Sequence, residues 1–241
     1  MKRLSRTRAN RSYMLFLISF IILVGVIWSS VSLVDSSSEV NQQLPSTIAP
    51  NKDVNNIPTG TERFKIVLDA GHGGHDPGAE GASGNYERDY TLSLTKKVSE
   101  LLQQDDRFEV HMTRTEDTSV SLGDRVKMAN ELGSNAFISI HGNTFTDANV
   151  SGTETYYYTD ESFAFADEVH KHLLEATGFK DRGVRKGDWK VIMETNSPAI
   201  LLEIGYLTNN SNETAMLSDE HQNVTAQAIV DGIKSHFIQI S

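Results

Sequence analysis

The amino-acid sequence predicts an α/β domain, a twisted and largely parallel sheet flanked by helices, preceded by an N-terminal transmembrane helix and a flexible linker. Three observations carry that expectation. Beyond residue 61, short β-branched runs alternate with longer segments of helical period, as in layered strand-helix units. Residues 13–34, "YMLFLISFIILVGVIWSSVSLV", contain no charged side chain. Residues 35–61 between them are rich in Ser, Asn, Gln and Pro and show no sustained apolar period.

The N-terminal segments set the compartment. Residues 1–12 carry Lys2, Arg3, Arg6, Arg8 and Arg11 and no acidic residue, so they are expected to stay cytoplasmic. At 1.5 Å per residue, 13–34 give roughly 33 Å of helix, enough for one bilayer crossing. A cleaved secretory signal is the alternative and would release the remainder. The long apolar run and the lack of an Ala-x-Ala-like site favour an uncleaved, single-pass anchor in the cell membrane. As a coil, residues 35–61 span about 30 Å r.m.s., holding a domain of residues 62–241 on the external side, near the membrane.

Composition excludes several classes. The 241 residues include no cysteine, which removes disulfides, thiolate metal sites and a cysteine nucleophile together. The formal net charge is −10, and setting aside the five basic residues of 1–12 leaves −15. No nucleic-acid partner is expected of such a surface. A monomeric domain is expected.

In order, the elements are a strand at "FKIVLD", a helix near 87–103, a strand at "FEVHMT", a helix near 121–132, and strands at "AFISI" and "TETYYY". A helix near 162–177, a short "WKVIM", the apolar run of "SPAILLEIGYLTNN" and a helix near 219–238 complete the domain. In that last helix Ile229, Ile233 and Phe237 recur at four-residue steps, a stripe that packs on the sheet.

The chemistry gathers where strands end. The first strand runs into "DAGHGGHDPGAEG", which puts His72 on the carboxyl edge, where open α/β sheets bind ligands. Its glycines fit no nucleotide fingerprint, because Asp76 stands at the sixth position and no P-loop lysine follows. The next helix opens at Glu87, which shares a stripe with Thr91, Leu94, Val98 and Leu101 and so faces the sheet. Taken alone, Glu87 could merely complement the helix dipole. "AFISI" delivers His141 to the same edge. Two imidazoles and one carboxylate, with a fourth position left for water, form the donor set of a catalytic zinc site, one Zn²⁺ per domain.

Glu203 is the one carboxylate in its apolar run. It is either paired structure, or a charge at a solvated strand end, or, if its strand is parallel to the others, the general base beside the metal. His75 is a candidate for contact with substrate or with a metal ligand. Asn143 and Arg182 are candidates for substrate contact, with a structural hydrogen bond and a surface charge as the alternatives. His111, His170, His172, His221 and His236 lie inside predicted elements and read as packed or solvated.

Six motifs in order, "IVLDAGHGGHDPGAEG", "ERDYTLSL", "MTRTED", "RVKMAN", "FISIHGN" and "PAILLEIGYLTN", resemble the zinc-dependent N-acetylmuramoyl-L-alanine amidases of the third amidase family over roughly residues 64–238. The resemblance implies metal ligands at His72, Glu87 and His141 and a catalytic glutamate at Glu203. It further implies hydrolysis of the amide joining N-acetylmuramic acid to L-alanine in peptidoglycan. Gly142 and Arg88 depart from the family's usual alanine and lysine. The short His141–Glu203 segment leaves no obvious room for the occluding helix of some members. Two other readings stay open: an exported zinc peptidase cutting another amide, and a non-catalytic, membrane-anchored wall-binding protein.

Overall fold

The computed structural model describes residues 62–238. The expected cytoplasmic segment, anchor and linker of residues 1–61 lie outside the described residues. Among the described residues no helix is long and apolar enough to cross a membrane.

Six strands form one sheet: β1 (Phe64–Ala70), β2 (Phe108–Met112), β3 (Ala136–Asn143), β4 (Thr153–Tyr157), β5 (Asp181–Lys186) and β6 (Ala199–Tyr206), in the order β2-β1-β3-β6-β4-β5. The helices are α1 (Glu87–Leu102), α2 (Leu122–Leu132), α3 (Phe163–Thr177), α4 (Lys190–Met193), α5 (Asn210–Leu217) and α6 (Asp219–Ile238).

The sheet is largely parallel, as expected, with four of its five strand pairings parallel, but one antiparallel pairing makes it mixed. Strands β2, β1, β3 and β6 are mutually parallel, but β4 pairs antiparallel to β6, and β5 follows β4 in parallel. The reason lies in connection length. Only residues 144–152 join β3 to β4, too few for a crossover of a dozen or more residues, so the chain turns back instead. The segment "WKVIM" is a single helical turn, α4, and β5 and α5 are elements the sequence pattern did not reveal.

Alternation in the central strands builds two cores. Ile66, Leu68, Ile138, Ile140, Ile200, Leu202 and Ile204 face one way and pack with α1, α3 and α6, including Leu94, Val98, Val169, Ile229 and Ile233. Val67, Phe137, Ala199 and Leu201 face the other way and meet Val126 and Ala129 of α2 and Val191 and Ile192 of α4. Burial on both faces explains why these strands read as near-continuous apolar runs. Gly232 lets α6 close on α3, since a Cβ there would stand 2.7 Å from Val169 Cα. Helix α2 starts at Ser121, whose hydroxyl accepts from Asp124 N at 3.1 Å, and stops at Gly133 in the left-handed region.

Candidate metal centre and active site

Strand register sets the site. His141 of β3 pairs with Glu203 of β6, and Glu203 pairs with Glu154 of β4. Paired residues share a face, so these three side chains form a row across adjacent strands. From β1 the chain continues through Gly71, whose N–H donates to Ile140 O at 3.1 Å, into His72.

His72 is the one described non-glycine residue with positive φ, at 61°. Two buried arginines secure that turn. Arg125 donates to the carbonyls of Ala70 and His72, each at 2.7 Å, and to Asp69 Oδ1 at 2.5 Å. Arg114 donates to Ala70 O and Gly71 O, each at 2.9 Å, and to Arg88 O at 2.8 Å. The His72 backbone is therefore clamped from below.

Its ring bridges two carboxylates, with Nδ1 2.8 Å from Asp76 Oδ2 and Nε2 3.0 Å from Glu87 Oε2. Glu87 is only 4% exposed, at the first position of α1. Its carboxylate accepts from Ala79 N at 2.9 Å and Gly142 N at 3.0 Å, and lies 2.9 Å from His141 Nδ1. The two imidazoles stand edge to face, centroids 4.9 Å apart. One ligand atom from each of His72, Glu87 and His141 lies within 4.8 Å of the other two.

Burial alone would raise the Glu87 carboxyl, but its hydrogen bonds to His141 and His72 outweigh that and hold it well below the usual range. Burial likewise works against a charged His72, yet Glu87 and Asp76 together raise its pKa above the ordinary value. Glu203 is pushed the other way. Burial, then the Glu87 and Glu154 carboxylates, raise it well above the usual range, and its Oε2 is buried with no hydrogen-bond partner.

These residues fit a zinc ion. Two imidazole nitrogens and a carboxylate oxygen are its preferred donors. The walls are built around them: a Cβ on Gly71 would stand 2.3 Å from the His141 ring, and one on Gly78 2.6 Å from Glu87 Oε2. A cation there also supplies the opposite charge that the unpartnered Glu203 lacks.

The other expected site residues divide. His75 is exposed, donates its backbone N–H to Ser119 Oγ at 2.9 Å, and lines a shallow pocket with His72, Asp76 and Arg125. The Asn143 side chain accepts from Thr144 N at 2.8 Å, a local structural bond. Arg182 stands outside the ligand group. It donates Nε to Glu154 Oε1 and sits 5.3 Å over the Tyr206 ring. The remaining histidines stay out of the ligand group: His170 bridges Thr155 and Asp181, His221 stacks on Phe179, and His236 packs on Phe165.

Sequence reasoning passed over Asp76, Glu154, Arg114 and Arg125. Asp76 follows His72 by four residues within the same glycine-rich loop, and both arginines stand inside quoted motifs without a role. Glu154 is the one carboxylate in "TETYYY", a signal of the kind that drew notice to Glu203.

A mixed α/β sheet whose carboxyl edge gathers two histidines, a buried carboxylate and an unpartnered glutamate defines a hydrolase framework with a donor set suited to zinc. The chain belongs to the N-acetylmuramoyl-L-alanine amidase family, whose model matches residues 66–235. Among solved structures it is similar to the catalytic domain of CwlV, an amidase from Bacillus (Paenibacillus) polymyxa var. colistinus, at 44% identity and TM-score 0.72. That match covers 74% of this chain and 99% of the other. It is also similar to AmiC2 of Nostoc punctiforme, at 37% identity and TM-score 0.71, covering 73% and 98%. Among curated proteins it is 37% identical over 174 residues to the probable cell wall amidase LytH of Staphylococcus aureus, covering 71% of this chain. It spans 58% of the length of that relative.

Proposed function

We propose that this chain hydrolyses the amide between the lactyl group of N-acetylmuramic acid and L-alanine in peptidoglycan, with His72, Glu87 and His141 holding one Zn²⁺ and Glu203 as general base. The observation that carries the reading is Glu203, whose buried, unpartnered Oε2 lies in register beside His141. Zinc, when bound, supplies Lewis-acid polarisation of the scissile carbonyl and acidifies the attacking water. Glu203 Oε2 takes a proton from that water and returns it to the departing alanine nitrogen as the tetrahedral adduct collapses. Glu87 stays an anion under its hydrogen bonds. Asp76, against Nδ1 of His72, fixes the tautomer that leaves Nε2 free to ligate.

Residues 13–34 anchor the domain to the outer side of the cell membrane in this reading, within reach of the wall. A monomeric catalytic domain with one bound Zn²⁺ belongs to the same proposal. The test is product analysis with the full-length chain on purified peptidoglycan. New amino termini that are all L-alanine are expected; internal stem-peptide cleavage with muramoyl-alanine intact would replace the reading with a peptidase.

A further inference from the structure

We propose that Arg182, set in place by Glu154, is the receiving group for a carboxylate on the peptide released by the reaction, and so determines which stem peptides are accepted. The inference rests on the amidase reading for the identity of that peptide.

The placement comes from the sheet. Between the pairs Thr153↔Asp181 and Thr155↔Val184 the register shifts by one, so Arg182 and Gly183 together stand opposite Glu154. Gly183, at φ 89°, takes the left-handed conformation that such a bulge uses. A bulge re-aims a side chain, and here the Arg182 guanidinium reaches Glu154. Its stem lies along Gly152, where a Cβ would stand 2.8 Å from both Cγ and Cδ of Arg182. The row of His141, Glu203 and Glu154 thereby gains a cation as its fourth member.

Glu154 is built as a holder. It is 2% exposed, and its carboxylate accepts from Tyr206 Oη at 2.6 Å, from Tyr156 Oη at 2.5 Å and from Arg182 Nε. An arginine carries five N–H groups in a fixed fork, and the Nε–H is the one this ion pair uses. The Arg182 side chain keeps 26% of its surface exposed, whereas that of Glu154 keeps 3%. The pair is thus sunk at its anionic end and open at its cationic end. Surface charge agrees. In a chain of net charge −10, residues 180–190 carry Lys180, Arg182, Arg185, Lys186 and Lys190 against Asp181 and Asp188.

Distance selects the ligand. Two strand spacings separate β6 from β5, roughly 10 Å, and Arg182 folds back toward Glu154 within that span. A peptide extends about 3.5 Å per residue. With the scissile nitrogen at Glu203, a carboxylate on the second residue of the leaving peptide lies about 7 Å on, within reach of the guanidinium. A planar fork against a carboxylate is the pairing arginine makes best.

The experiment reads binding, so it does not depend on turnover. Two short stem peptides beginning with L-alanine, identical except for a free carboxylate or a carboxamide on the second residue, are titrated against the full chain. Parent protein is expected to bind the carboxylate form about tenfold more tightly. In Arg182→Gln that preference disappears, and in Arg182→Lys part of it returns. The double variant Glu154→Gln, Arg182→Gln removes both charges together, so no unpaired buried carboxylate remains, and it too is expected to show no preference. Equal binding of both peptides by the parent, or a preference surviving in the double variant, would overturn the proposal. A chain with the expected preference that leaves the muramoyl-alanine amide intact spares the subsite and removes the amidase reading; cleavage without preference does the reverse.

Discussion

At the scale of single residues, the site depends on how each ligand group is aimed. His72 has its ring set between Asp76 and Glu87, and a carboxylate behind a ligating histidine fixes its orientation and raises its basicity. Replacing such a partner costs about 10- to 100-fold in metal affinity. The Asp76 side chain is 64% exposed, so solvent already screens it and the lower end of that range applies. Asp76→Asn is therefore expected to weaken zinc binding about tenfold by competition with a chelator, with the fold intact. Unchanged affinity would show that the Arg125 and Arg114 clamp on the backbone is sufficient by itself.

At the scale of elements, close approach makes the site. Gly71 leaves β1 directly under the His141 ring, and an alanine Cβ would overlap three ring atoms at 2.3 to 2.7 Å. Gly71→Ala is expected to displace His141, lose most bound zinc, and cost about 1–3 kcal/mol of stability in a denaturant titration. Full zinc occupancy in that variant would mean either that the His141 ring does not depend on the close approach of Gly71 or that His141 is not a ligand. Elements also show what the sequence could and could not reveal. The carboxyl-edge residues His72, Glu87, His141 and Glu203 were legible because strand ends and a helix start are marked by local patterns, and the parallel β1, β3 and β6 bring them to one edge. The reversal at β4 was not, since strand direction depends on a connection whose path no local pattern records. β5 was missed for a related reason: "DRGVRK" is an edge strand with polar side chains on both faces and lacks the apolar alternation by which strands are recognised. Glu154 went unnoticed with it, because two of its three partners, Tyr206 and Arg182, lie 52 and 28 residues away.

At the scale of the whole molecule, one sheet brings two side-chain groups side by side. Its parallel half, under α1 and α2, carries the candidate ligand group of His72, Glu87 and His141, and its reversed half, β4 and β5, carries the Glu154–Arg182 pair beside Glu203. The reversal is thus what sets a basic edge strand beside the proposed site in a chain of net charge −10. The central claim is that Glu203 supplies proton transfer and not metal binding or packing. The most direct test is zinc content measured together with release of L-alanine amino termini from peptidoglycan, for the parent chain and for Glu203→Gln. The amide is nearly the same shape as the carboxylate and keeps the strand, but it cannot accept the water's proton. The account predicts about one zinc in each protein and a loss of turnover in the variant of at least about 100-fold. Turnover within a fewfold of the parent would contradict it, and zinc lost along with activity would make Glu203 a ligand instead of a base.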